Sequence, residues 1–564
     1  MKRLLKNGTV VNVFTGELIK TNVLFENGII LGVDDYGDDE ADEVIDAAGK
    51  YICPGFIDGH IHIESTMLTC PEFAKTAVSH GTTAVIADPH EIANVSGKDG
   101  LRYMLESSEG LPLTVYFVIP SCVPATGFDE SGAVLSADDI EEFYSESRVL
   151  GLGEVMNYVG VVAGDGELEK KIKSALSRGL VVNGHAPLLS GKPLDKYISA
   201  GIGDDHECSS ADEAKERIRK GQRIMIRQGT AARNLSGLIS LFDDPWEQRC
   251  LLVTDDKHPA DLISNGHIDS IIRSAVQMGK SAVTGIRMAT LHAAECFGLK
   301  NTGAVAPGYK ADLLVLDDLD KVIVRDVYKN GEKVVSDGKT LCFDMPKIND
   351  ALEKKVRSSF NLPMLSSSDF DVDYNGKRKC HVISLVDGQL LTDDLVSDID
   401  FDCNNGIDIE HDILKLAVIE RHHNTGHIGN AFIKGIGLKE GAIASSVAHD
   451  SHNLIVIGTN TDDMAFAANR IRELGGGIVS VKNGQVVAEM PLPIGGLMSC
   501  ETAERAAEEN ETVRESVYSL GVPKGFEPFM IMSFLSLPVI PHLKLTTKGL
   551  VNVDTQSEVR LAAE

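Results

Sequence analysis

The chain lacks any uninterrupted apolar run of about 18 residues, the length that a membrane span needs. Its opening, Met1 to Val13, has no apolar core and no small-residue cleavage site, so a secretory leader is not expected. The ten cysteines are scattered and contain no C-x-x-C pair. In a chain of this size they read as reduced core thiols of a cytoplasmic protein. Basic residues are scarce: 54 Lys and Arg stand against 83 Asp and Glu, a formal net charge of −29. That balance argues against nucleic acid or an anionic membrane as the main partner. What is present is ordinary for a soluble globular protein, with 43% hydrophobic and 24% charged residues. The 564 residues suffice for about three or four folding units, and 17 of them are histidines.

Residues 1–54 read as short strands, with Asn27-Gly28 between two β-rich runs as a hairpin signal. From residue 55 the pattern changes to apolar β-type runs alternating with helical, polar segments. Eight such runs can be counted: Phe56–Ile63, Thr83–Ala87, Thr114–Ile119, Val149–Val155, Leu180–Val182, Gly201–Asp204, Arg223–Arg227 and Leu251–Thr254. Their number and spacing over residues 55–302 predict an α/β fold, a (β/α)8 TIM-like barrel. Residues 303–361 are β-like again, with runs at Ala311–Leu316, Val322–Arg325 and Lys333–Val335. They are expected to pair with the first 54 residues in one composite β-sandwich. Residues 362–378 are polar and read as a linker, and 379–564 as a mixed α/β unit. That unit holds a helix with Thr461 or Asp462 as N-cap and Gly475 as stop.

The polar residues fall at one end of the barrel runs. Asp58-Gly59-His60-Ile61-His62 closes the first, and alternation along a strand puts His60 and His62 on one side. Glu154 ends the fourth run, His185 the fifth and Asp255 the eighth, while His206 follows the sixth. Singly, each has a bland reading: Glu154 as a salt-bridge partner, His185 as a core histidine, Asp255 as a helix cap. Six ligand-type residues at the catalytic end of five strands are harder to explain that way. Four imidazoles and two carboxylates suffice for two divalent ions, with Glu154 placed to bridge. His60, His62 and Asp255 would complete one site, and His185 and His206 the other. Without thiolates the set suits Zn, Mn or Fe. Such a pair activates water for hydrolysis, with Asp255 placed to take the proton. The second run ends in Asp88-Pro89-His90-Glu91, three ionisable groups at the same rim. They could protonate a leaving group or hold a polar heterocycle.

With these residues in place, PGFIDGHIHIES, NGHAP, LLVTDD and PGYKADLLVLDD make the chain resemble the amidohydrolase superfamily. IADPHEIANVSG, SCVPATGF, GLGEVMN and the whole C-terminal unit narrow the resemblance to the adenine deaminase family. It implies hydrolysis of adenine to hypoxanthine and ammonia at two divalent ions, manganese first, with iron or zinc as alternatives. It places His60, His62, Glu154, His185, His206 and Asp255 at the metals, with Asp255 as proton shuttle. Asp88 and His90 fall where leaving-group and substrate contacts are expected. Glu154 stands where many superfamily members carry a carboxylated lysine, which disfavours dihydropyrimidinase or dihydroorotase. The helix-borne His/Glu pair of adenosine deaminases is not found, so the free base is favoured over a nucleoside.

The remaining cluster, His422, His423, His427, His449, Asp450 and His452, is expected to be structural or a dimer contact rather than a second metal site. Length and strand content permit a homodimer. Two other readings stay open: a metal-dependent hydrolase of another cyclic amide or amidine, and a non-catalytic barrel acting as a binding scaffold.

Overall fold

A computed structural model describes residues 1–128, 130–230, 232–372, 374, 376, 378–386, 391–402 and 404–563. Cys403, one of the ten expected thiols, and Asp373, Asn375 and Lys377 of the expected linker lie outside the described residues. The nine other cysteines are all free thiols. Among the described residues no helix is long and apolar enough to cross a membrane.

The eight apolar runs become eight strands, numbered here β1 (Phe56–Ile61), β2 (Thr82–Ala87), β3 (Thr114–Ile119), β4 (Val149–Val155), β5 (Val181–Gly184), β6 (Asp204–Asp205), β7 (Arg223–Arg227) and β8 (Cys250–Val253). β1 to β5 pair in sequence order as one parallel arc, and β6 to β8 as a second. Two seams join the arcs into a closed barrel. Gly203 N–H donates to Val182 O at 3.0 Å, and Asp255 N–H donates to His60 O at 3.0 Å. β1 and β2 are buried along their whole length, as strands covered on both faces must be. The sixth run differs from expectation: Gly201 sits at φ 104° in a turn, and only Asp204–Asp205 pairs. A glycine at that dihedral cannot continue a strand.

The two flanks join as expected. Leu313–Asp318 pairs antiparallel with Tyr51–Pro54, which makes one nine-stranded sheet from both ends of the barrel. One apolar cluster fills its inside, with Leu5, Phe25 and Ile52 from the first flank and Leu313 and Tyr328 from the second. Asn27 and Gly28 both have positive φ (49° and 79°), the turn that suits a two-residue hairpin. The first strand is Arg3–Val11, and a register shift between Leu5 and Gly8 interrupts its alternation.

The C-terminal unit is built on an eight-stranded sheet. The helix Thr461–Leu474 packs on it through Met464, Ala467, Ala468 and Ile471 and ends at Gly475 with φ 74°. Its N-cap is Asn460, one residue before the expected Thr461, because the Asn460 side-chain oxygen accepts the Asp463 N–H at 2.8 Å. Within 362–372, Leu362, Leu365 and Phe370 are buried against this helix, while Ser366, Ser368 and Asp371 are exposed. Barrel and C-terminal unit share one apolar cluster that includes Ile61, Ile92, Leu497 and Met498.

Candidate metal centre

Glu154, at the end of β4, is the hub. His62 Nε2 lies 2.9 Å and His60 Nε2 3.1 Å from its Oε1. His185 Nδ1 lies 2.7 Å and His206 Nε2 3.4 Å from its Oε2. Asp255 Oδ1 stands 3.1 Å from His62 Nε2 and 3.5 Å from His60 Nε2. The structure therefore brings together all six residues expected at the metals, two imidazoles at each oxygen of the central carboxylate.

Local structure explains the convergence. His60 lies on β1 and His62 continues its extended backbone one residue past the end, so both side chains leave on one side. Their strand is pinned by Asp58, whose Oδ1 accepts the Thr254 N–H at 3.1 Å and the His60 N–H at 3.2 Å. Asp255 follows β8 in the left-handed region at φ 60°, a conformation costly for a non-glycine residue and common at functional sites. Its backbone carries the barrel seam, so its side chain is aimed by the same bonds that close the fold.

A divalent cation fits these donors. His62 Nδ1 is 2.9 Å from the Asp88 carbonyl, so that nitrogen carries the hydrogen. Its Nε2 then faces two carboxylate oxygens, an arrangement that a cation or a proton between them must satisfy. His60 Nε2, Glu154 Oε1 and His206 Nδ1 are buried without a hydrogen-bond partner. His60, Glu154, His206 and Asp255 offer ligand atoms that all lie within 4.8 Å of one another. Burial pushes Asp255 and Glu154 up, but the facing imidazoles outweigh it and hold both well below the usual carboxylate range, helped at Asp255 by Arg227. Burial works against a charged His62, yet Asp255 and Glu154 raise it well above the ordinary imidazole value.

The rim residues divide. His90 lines a cavity of about 330 Å3 at the mouth, with Nδ1 3.8 Å from Glu154 Oε1. Asp88 does not line it: its Oδ2 accepts the Glu154 N–H at 2.8 Å and so supports the hub from behind. Glu91 lines the cavity and is gripped by the C-terminal unit, with His449 Nδ1 at 2.5 Å and His452 Nε2 on its other oxygen. The expected histidine cluster is thus two groups. His449, Asp450 and His452 face the barrel site, while His422 binds Ser451 O at 2.7 Å and His427 binds Glu130 at 2.8 Å. His423 lies 3.2 Å from Ser131 O.

Sequence reasoning missed Arg227 and Glu207. Arg227 Nη1 reaches Asp255 Oδ2 at 2.7 Å and Glu207 Oε1 at 2.5 Å, a fork that holds the Asp255 carboxylate in place. The signal was available: Arg227 ends the seventh run at the same relative place as the other site residues, and Glu207 follows His206.

Residues 51–341 match the amidohydrolase family, and residues 389–557 match the adenine deaminase C-terminal domain. Among curated relatives, "Adenine deaminase 2" of Carboxydothermus hydrogenoformans is 45% identical, over 99% of this chain and 96% of its own. "Adenine deaminase" of Oceanobacillus iheyensis is 44% identical, over 100% of this chain and 96% of its own. Among solved structures, dihydropyrimidinase from Brevibacillus agri is 16% identical over 60% of this chain and 96% of its own, with a TM-score of 0.49. Near-full-length identity at this level, with both domain matches in order, means that the chain belongs to the adenine deaminase family of amidohydrolases.

Proposed function

We propose that this protein hydrolyses adenine to hypoxanthine and ammonia, serving purine salvage in the cytoplasm as a homodimer. One observation carries the chemistry: two imidazoles face each oxygen of a buried carboxylate, beside a cavity to which the C-terminal unit contributes apolar groups. His60, His62 and Asp255 would hold one divalent ion and His185 and His206 the other, with Glu154 between. Manganese is the first choice, and iron or zinc are the alternatives. When bound, the ions lower the pKa of a water and polarise the C6–N bond it attacks.

The chain's own groups do the rest. Asp255 Oδ1 accepts the proton released by the water and passes it to the exocyclic nitrogen, which leaves as ammonia. Arg227 keeps the other Asp255 oxygen occupied, so one oxygen alone faces the reaction. His90 contacts the heterocycle from the rim, and Asp88 positions Glu154 through its backbone. Leu391, Phe534, Leu537 and Ile540 supply apolar surface for a flat ring and exclude water. The nine described free thiols, six of them buried, agree with a reducing compartment.

The test is ammonia release from adenine by enzyme loaded with manganese, with metal counted by elemental analysis. Stoichiometric hypoxanthine and about two ions per chain are expected. No ammonia at full metal loading would sink the reading, and turnover of a cyclic amide instead would replace it.

A further inference from the structure

The far wall of the cavity comes from the C-terminal unit, and one polar side chain on it has no role in the reading above. Asp450 is 3% exposed and lines the cavity. Its Oδ1 is 3.8 Å from His90 Nε2, and its Oδ2 is buried with no hydrogen-bond partner. His90 Nδ1 in turn is 3.8 Å from Glu154 Oε1, so Asp450 stands one imidazole away from the proposed metal bridge. Buried acceptors are almost always paired, and one left open in a cavity wall is a place for a donor from a ligand.

The neighbours of Asp450 hold it there. Ala448 N–H donates to His452 Nδ1 at 3.1 Å, which fixes the hydrogen of that ring on Nε2. Nε2 then donates to Glu91 Oε2, and His449 Nδ1 engages Glu91 Oε1 at 2.5 Å. Residues 448–452 are thereby locked onto the helix His90–Ser107 of the barrel from both sides of Asp450. Burial pushes the Asp450 carboxyl up to about 6, and its unpartnered Oδ2 presents an acceptor to the cavity.

If C6 of a purine faces Glu154, the five-membered ring is the edge turned away from the metals. In free adenine that edge carries the one ring N–H. We propose that Asp450 is a substrate-contacting residue that accepts this N–H and so selects the free base over N9-substituted purines such as nucleosides. A nucleoside replaces that hydrogen with a sugar, leaving the buried oxygen unpaired. Sites that hydrogen-bond a substrate N–H reject analogues without it by about 10^4-fold. The proposal rests on adenine being the substrate.

Full-length wild type, Asp450→Asn and Asp450→Ala, all loaded with manganese, are assayed on adenine and 9-methyladenine. Hypoxanthine binding is measured by calorimetry alongside. Wild type should prefer adenine by about 10^3-fold or more in kcat/KM. Asp450→Ala should lose about 10^2-fold on adenine, mainly through KM, and its preference should narrow at least about 10-fold. Hypoxanthine should bind at least about 10-fold more weakly, with metal content and melting temperature unchanged. Asp450→Asn, which keeps an acceptor oxygen, should fall between. An adenine KM within about twofold of wild type, or equal losses on both substrates, would overturn the role of Asp450 and leave adenine as substrate. A fully loaded wild type inactive on adenine would overturn both.

Discussion

At the scale of single residues, the site is a set of buried charges held by opposites. Asp255 is the sharpest case. Arg227 occupies one of its oxygens and imidazoles face the other, so the carboxylate stays ionised although buried. Replacing it by Asn preserves shape and an acceptor for Arg227 but removes the proposed proton shuttle. Asp255→Asn should lower kcat by about 10^2- to 10^4-fold while its circular dichroism spectrum stays that of wild type. Retention of most activity would assign the shuttle elsewhere. The types and spacing of these residues were open to sequence reading because H-x-H on a strand and carboxylates at strand ends follow from backbone periodicity. Arg227 and Glu207 carried only a positional signal, at a strand end and beside His206, and the distance from Arg227 to Asp255 is what marks them.

At the scale of elements, strand β4 shows how a small residue makes room for the hub. A Cβ on Gly153 would overlap Asp88 Oδ2, the atom that accepts the Glu154 N–H. Gly153→Ala should therefore displace Asp88, loosen Glu154 and cost about 1–3 kcal/mol of stability. We expect a lower melting temperature and at least about a tenfold drop in turnover. Wild-type values for both would mean that the Asp88 carboxylate does not set the hub. The eight strands themselves were legible as apolar runs, and β6 was the least so. Its turn glycine and two-residue length leave almost no pattern, and only its pairing with Arg223 and Ile224 on β7 identifies it.

At the scale of the whole molecule, the C-terminal unit is a wall of the site rather than an appendage. It contributes Asp450 and part of the apolar cavity lining, and it grips Glu91 through His449 and His452. Burial of charge inside that unit also gives stability a pH dependence. Lys415 is 1% exposed, with its ammonium donating to Phe370 O. Burial lowers it from 10.5 to about 8, opposed by Asp371. Below pH 8 both folded and unfolded chains carry the proton, and the burial penalty is present in full. Between pH 8 and 10.5 the folded chain releases it first, so rising pH favours the folded state in this window. Relative to Lys415→Met, wild type should gain stability from pH 7.5 to 9.5, by roughly 1 kcal/mol after discounting for solvent screening. A constant difference in melting temperature across that range would place the titration elsewhere.

The sequence by itself determined the barrel, the joining of its flanks and the six converging residues at the centre. These follow from local rules: strand periodicity, turn chemistry and the ends of parallel strands. The partner of each charge was decided only by tertiary structure. Asp88 turned out to serve Glu154 from behind, the C-terminal histidines split into two groups, and Asp450 came to stand over the cavity. The reason is physical. Hydrogen bonds and ion pairs act over a few ångströms, and Glu91 and His452 are 361 residues apart in the chain. No local pattern records such a meeting until two separately built units close on each other.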